Sequence, residues 1–191
     1  MVNHESRVGI VNLEVPKQHA AFALIAIGQG PMRQYLLQWN QRWGAFNLIG
    51  GKPDPHCETD TDSLSRTIQR ELEEEMGLCA STDFQIIQQL GLVTMTQYSR
   101  REQQVKEYTF AIFDVRIFPT FPVNFRKNSA IRWLSTGDEN VFVSANEINS
   151  LMTQDSRPIS TTTKYILQAV GELPTICPPI AIVPPQHSLE T

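Results

Sequence analysis

Positive charge is thin along this chain. Lysine and arginine number 16 against 20 aspartates and glutamates, and the formal net charge is −4. No basic run occurs, so a cationic face for a phosphate backbone is not expected and nucleic acid is not an expected partner. Long apolar runs are also missing. None approaches the roughly 20 residues of a bilayer-spanning helix, so no membrane partner is expected. The opening MVNHESRVGIVNLEV has neither the basic start nor the apolar stretch of a secretory signal. Cysteine is scarce: Cys57, Cys79 and Cys177 form no CxxC pair. A disulfide framework is therefore not expected, and free thiols in a cytoplasmic setting are. His4, His19, His56 and His187 lie far apart without zinc-ligand spacing.

What is present is ordinary globular material. Hydrophobic residues make up 41% and charged residues 19% of 191 positions, enough for one domain with a core. Residues 1–173 read as that domain. Residues 174–191, LPTICPPIAIVPPQHSLET from Leu173 onward, read as a proline-rich tail. Alternation and β-branched or aromatic content predict strands near Ala20–Ile27, Gln34–Trp39, Phe46–Ile49, Ile86–Thr96, Tyr108–Ile117 and Ile131–Leu134. Helical patterns cover about Asp62–Met76, Ala145–Met152 and Thr161–Val170. Strands outnumber helices without a regular βαβ repeat, which predicts an α/β fold with a mixed sheet and helices packed on it.

The most unusual stretch is RELEEEMGL, Arg70 to Leu78. Leu64, Ile68, Leu72 and Met76 recur every fourth residue and form a core stripe. Thr61 or Asp62 is placed to cap the start, and Gly77 to close the end in a left-handed conformation. At about 100° per residue, Glu71, Glu74 and Glu75 share one arc, while Glu73 projects to solvent. Like charges three and four apart weaken a helix, and acids near its C-terminal end oppose the dipole. A hard divalent cation would compensate, since it prefers carboxylate oxygens. The plain alternative is a solvated acidic face, as most glutamate runs are. Upstream, FNLIGGK places Gly50 and Gly51 directly after a short strand, where paired glycines allow a close backbone approach.

Strand, glycine turn, loop and acid-rich helix together resemble the Nudix hydrolase family. The second half of its box is complete here as Arg70, Glu71, Leu72, Glu74, Glu75, Gly77 and Leu78. The box glycine matches Gly51, and Asp62 stands where the family has its first glutamate; Glu58 is the alternative for that position. The intervening KPDPHCETDT is longer than the family usually has. The resemblance implies a Nudix-like α/β/α sandwich with a glycine loop–helix metal site. It further implies Mg²⁺ (or Mn²⁺) on Glu71, Glu74, Glu75 and the Gly51 backbone, with Arg70 orienting Glu71. It implies hydrolysis of a diphosphate linkage in a nucleotide, with a small-molecule nucleotide as partner; a homodimer stays open.

That chemistry needs a group to accept a proton from water. Glu102 and Glu107, in SRREQQVKEYTF, are candidates, with Glu102 slightly preferred and Glu75 a third option. Lys52 belongs to the glycine loop, and Arg101 could meet phosphates. Trp43 and Phe46 flank the glycine loop and could stack on a base or simply pack in the core. Asn47 stands where some family members read an oxidised purine. ADP-ribose-like and nucleoside triphosphate substrates both remain open. Two rival readings stand beside the enzyme: a Nudix-like sensor that binds a nucleotide without cleaving it, and a ligand-free acidic surface.

Overall fold

A computed structural model of the protein describes residues 15–54, 61–99, 102–118 and 140–174. The strand expected at Ile131–Leu134 and the tail from 175 onward lie outside these residues.

Seven strands are present: β1 (Lys17–Ile27), β2 (Gln34–Asn40), β3 (Ala45–Asn47), β4 (Ile49–Gly51), β5 (Phe84–Ser99), β6 (Gln104–Ile117) and β7 (Asn140–Ser144). Among the described residues, three α-helices accompany them: α1 (Thr61–Met76), α2 (Ala145–Ser150) and α3 (Thr161–Ala169). The strand order is β3-β2-β1-β6-β5, with β4 also on β1 and β7 also on β2. β1 runs parallel to β6, with Lys17 opposite Glu107 and Ala21 opposite Ala111. The other pairings are antiparallel. The sheet is therefore mixed, as the sequence predicts.

Alternation along β1 sorts the core into two layers. Ala21, Ala23 and Ile25 pack with Ala111, Phe113 and Val115 of β6 and with Leu64, Ile68, Leu72 and Met76 of α1. Ala20, Phe22 and Leu24 pack on the opposite face with Phe110 and Ile112, and with Ile148 of α2 and Ile166 and Leu167 of α3. This is an α/β/α sandwich in which side-chain period two assigns each strand residue to a helix layer. The end of α3 is tied back to β2: the Arg33 guanidinium donates to both Glu172 carboxylate oxygens, at 2.7 and 3.0 Å.

Three details differ from the sequence reading. The predicted strand at Phe46–Ile49 is two short strands. Leu48 breaks it, because its N–H donates to Thr163 Oγ1 at 3.3 Å instead of joining a ladder. The chain there changes partner, from β2 for β3 to β1 for β4. β7 was not anticipated; it forms by pairing its whole length with Gln34–Gln38. At the start of α1, Thr61 and Asp62 stand within the first turn, so neither occupies the cap expected of it.

Candidate active site

The glycine loop and the glutamate helix meet at Gly51. This residue pairs with Ala21 in β1, which fixes its backbone over α1. A Cβ at residue 51 would run directly into the Glu71 carboxylate. Only glycine lets the strand lie this close. Glu71 is correspondingly buried, at 9% exposure.

Arg70 organises the carboxylates. Its Nη2 donates to Glu71 Oε1 at 2.5 Å and to the Lys52 carbonyl at 3.3 Å. Its Nη1 donates to Glu74 Oε2 at 2.8 Å. One rigid guanidinium thus joins two helix carboxylates to the loop backbone. Burial opposes the Arg70 charge, but Glu71 and then Glu74 outweigh it and hold its pKa above the ordinary value. The helix ends as its sequence predicts: Gly77 adopts φ 65°, and its N–H donates to the Glu73 carbonyl at 3.1 Å. Such a left-handed close suits glycine.

Glu75 has no such guard. By surface area it is open on its cleft side, yet its surroundings withdraw water from the carboxyl. Desolvation first, then the charges of Glu71 and Glu74, push its pKa up to about 7; Arg70 and a hydrogen bond with Gln38 act the other way. Among the described residues, no three His, Cys, Asp or Glu side chains converge as a ready metal cluster. Arg70 explains the arrangement of two of them, since its fork draws Glu71 and Glu74 toward itself. The donor chemistry nevertheless fits a hard cation. Three carboxylates crowd one arc with one arginine between them, and their mutual repulsion is what a divalent cation would relieve. Glu71, Glu74, Glu75 and the Gly51 backbone are the groups that could hold it.

The remaining candidates separate. Phe46 is fully buried in the layer shared with α3. Trp39 meets it edge-on, with ring centroids 5.1 Å apart, and the Arg157 guanidinium lies 4.6 Å from its centroid. Of its two readings, packing is the one realised, and a stacking role is corrected. Asn47 is also buried, and its amide donates to the Ala45 carbonyl at 2.9 Å. Trp43 is 54% exposed on the β2–β3 turn. An open cleft of about 450 Å³ lies between that turn, Gln38 to Trp43, and Glu75.

Lys52 is exposed beside the loop. Glu102 is exposed at the β5–β6 turn and pairs with Lys106. The hydrogen bond from Lys106 lowers its pKa, with smaller contributions from Gln104 and from the charge of Lys52. Glu107 shares the α1 face with Ala111 but sits four residues earlier in β6, where it meets Lys17 at 3.9 Å. Arg101 lies outside the described residues. Sequence reasoning missed Gln38, which reaches Glu75; Lys106, in the same stretch as Glu102 and a candidate to meet phosphates, is instead buried and pairs with Glu102. Gln38 has no local signal; the placing of β2 brings it there.

A family model, the NUDIX domain, matches residues 17–155. The chain belongs to the Nudix family. MutT protein from Methanosarcina mazei Go1 is similar in structure at TM-score 0.50 and 20% identity, covering 84% of this chain and 96% of that one. Shewanella oneidensis NrtR, crystallised with a 27mer DNA, is similar at TM-score 0.50 and 13% identity, covering 80% of this chain. The match spans 60% of the NrtR chain's length. At these identities the likeness is one of fold. No curated protein matches the chain. No helix among the described residues is long and apolar enough to cross a membrane.

Proposed function

We propose that this protein is a Mg²⁺-dependent pyrophosphohydrolase that cleaves the diphosphate linkage of a nucleoside diphosphate derivative or a nucleoside triphosphate. One observation carries the reading. Glu71 is buried against the Gly51 backbone while Arg70 links it to Glu74, so the complete half of the box is assembled around the glycine loop. A bound Mg²⁺ or Mn²⁺ would neutralise charge building on the phosphoryl oxygens and lower the pKa of a water. The chain's own residues do the rest. Arg70 fixes the carboxylate directions. Gly51 keeps the backbone close. Lys52 stands beside the loop, where a phosphate would meet its charge.

The proton acceptor is chosen among Glu102, Glu107 and Glu75. Glu107 stands near the start of β6 and is paired with Lys17 at 3.9 Å. Glu102, on the β5–β6 turn, has a side chain as exposed as that of Glu107, 38% each, and its pairing with Lys106 must loosen before it accepts a proton. Trp43 and the cleft beside Glu75 would receive the nucleoside end, with ADP-ribose-like and triphosphate substrates both admitted.

The second reading is a nucleotide sensor, favoured by the fold shared with NrtR, which was crystallised on DNA. Retention of all three box glutamates favours hydrolysis. A screen of nucleotides with Mg²⁺, reading released phosphate and mononucleotide, decides between them. Turnover that needs the cation supports the enzyme. Saturable nucleotide binding with no product supports the sensor.

A further inference from the structure

The outer edge of β5 carries no guard over half its length. From Phe84 to Ser99 the sequence FQIIQQLGLVTMTQYS contains no charged residue and no proline. Natural sheet edges are normally protected by charges, prolines or bulges. The first half of β5 has bulges, at Ile87 between Ile86 and Gln88 and at Leu90 between Gln89 and Gly91. From Gly91 to Ser99 the pairing with β6 is regular, without a shift. Among the described residues, β5 ends the strand order and Gly91–Ser99 pairs only with β6. α3 touches this segment through a long 3.5 Å hydrogen bond from Tyr165 Oη to the Thr94 carbonyl and through the Gln97 amide, which donates to Thr162 Oγ1 at 2.8 Å.

The segment is also self-complementary. Two antiparallel copies centred on Met95 would set Leu92 opposite Tyr98 twice and Thr94 opposite Thr96 twice. Leu92 is 61% exposed and Tyr98 50% exposed, so the two large apolar side chains left open in Gly91–Ser99 become each other's partners. An aliphatic side chain facing an aromatic one, and a threonine pair, are favourable cross-strand combinations. No like charges oppose one another, since none are present.

We infer that β5 is a self-association edge: Gly91–Ser99 pairs antiparallel with the same segment of a second copy across a twofold axis at Met95, joining two sheets into one. Nine residues extend about 30 Å. An edge of that length, about 10 Å deep, covers roughly 300 Å² in projection on each copy, below the standard interface. The dimer is therefore weak and reversible. Its occupancy follows protein concentration.

Sedimentation velocity of the full chain over a wide concentration range tests this. The expected result is a monomer–dimer equilibrium. In Thr94→Lys/Thr96→Lys, lysines face lysines at the axis. That dimer should be weakened about tenfold or more, with an unchanged circular dichroism spectrum. Mixing it with Thr94→Glu/Thr96→Glu should restore association, because opposite charges then face each other across the axis. Hydrogen exchange of the wild-type chain gives a reading without variants: amides in Gly91–Ser99 should lose protection on dilution. A wild-type chain that stays monomeric throughout overturns the inference. So does a lysine variant that dimerises as well as wild type, or protection in this segment that ignores dilution.

Discussion

Glu71, Glu74 and Glu75 have three different environments within two helical turns, and each predicts a different response. Glu74 is 61% exposed at its side chain and touches Arg70 alone in hydrogen bonding. Glu74→Gln removes charge and almost no volume, so folding should persist while turnover falls by about a hundredfold or more. A purified variant hydrolysing its best nucleotide at the wild-type rate would exclude Glu74 from the ligand set. Gly51→Ala acts on Glu71 instead. The added methyl overlaps the carboxylate, so the Glu71 side chain must leave its place and its bond with Arg70, at a cost of about 1–3 kcal/mol. Denaturant unfolding and kcat should both fall; a variant as stable and active as wild type would mean the contact is dispensable. Glu75 responds to pH. Its pKa rises from 4.5 to about 7 on folding, so the folded protein binds an extra proton between those values. The associated stability is fully present below 4.5 and is lost as pH rises through 7. Water screens so open a group, and the effect is about 1 kcal/mol at most. In metal-free protein, Glu75→Gln should unfold later than wild type at pH 8 and at the same denaturant concentration near pH 4.5. Equal curves at both pH values would show that burial does not penalise this carboxylate.

At the scale of elements, the site is a strand and a helix held at one contact, and the helix end matters. Gly77 at φ 65° closes α1 immediately after the three glutamates. Gly77→Ala should lower stability by about 1 kcal/mol through its left-handed backbone, measured by denaturant titration. A stability equal to wild type would mean the end of α1 frays without cost. The core stripe of α1 and the two faces of β6 were readable in the sequence, because periods of four and two survive whatever the topology. The split between β3 and β4 was not readable. It depends on Thr163, more than a hundred residues away, taking the Leu48 N–H. The side to which Phe46 points was likewise set by α3 and Trp39, not by its neighbours in sequence. Asn140–Ser144 became a strand because β2 offered it a free edge. For the site, the box residues were legible because they are local in sequence, whereas Gln38 reaches Glu75 from β2.

Across the whole molecule, the two helix layers leave the carboxylate arc at the margin of one layer. Glu71 lies inside the packing, while Glu74 and Glu75 face outward. A cation held there would bind the folded chain and not the unfolded one, because Gly51 and α1 meet only in the folded sheet. Mg²⁺ should then raise the unfolding midpoint. At a hundredfold excess over its dissociation constant the gain is about 2.7 kcal/mol. For a domain of this size that corresponds to a shift of roughly 5–10 °C. Mn²⁺ should act in the same direction, while Na⁺ at matched ionic strength should not. Glu74→Gln should shrink the shift, which links the binding to the arc and not to the general negative charge. Thermal unfolding followed by circular dichroism reads it without any substrate. If Mg²⁺ moves the midpoint no more than Na⁺ does, or moves Glu74→Gln as far as wild type, the glutamates of α1 are a solvated surface and the hydrolase reading loses its metal.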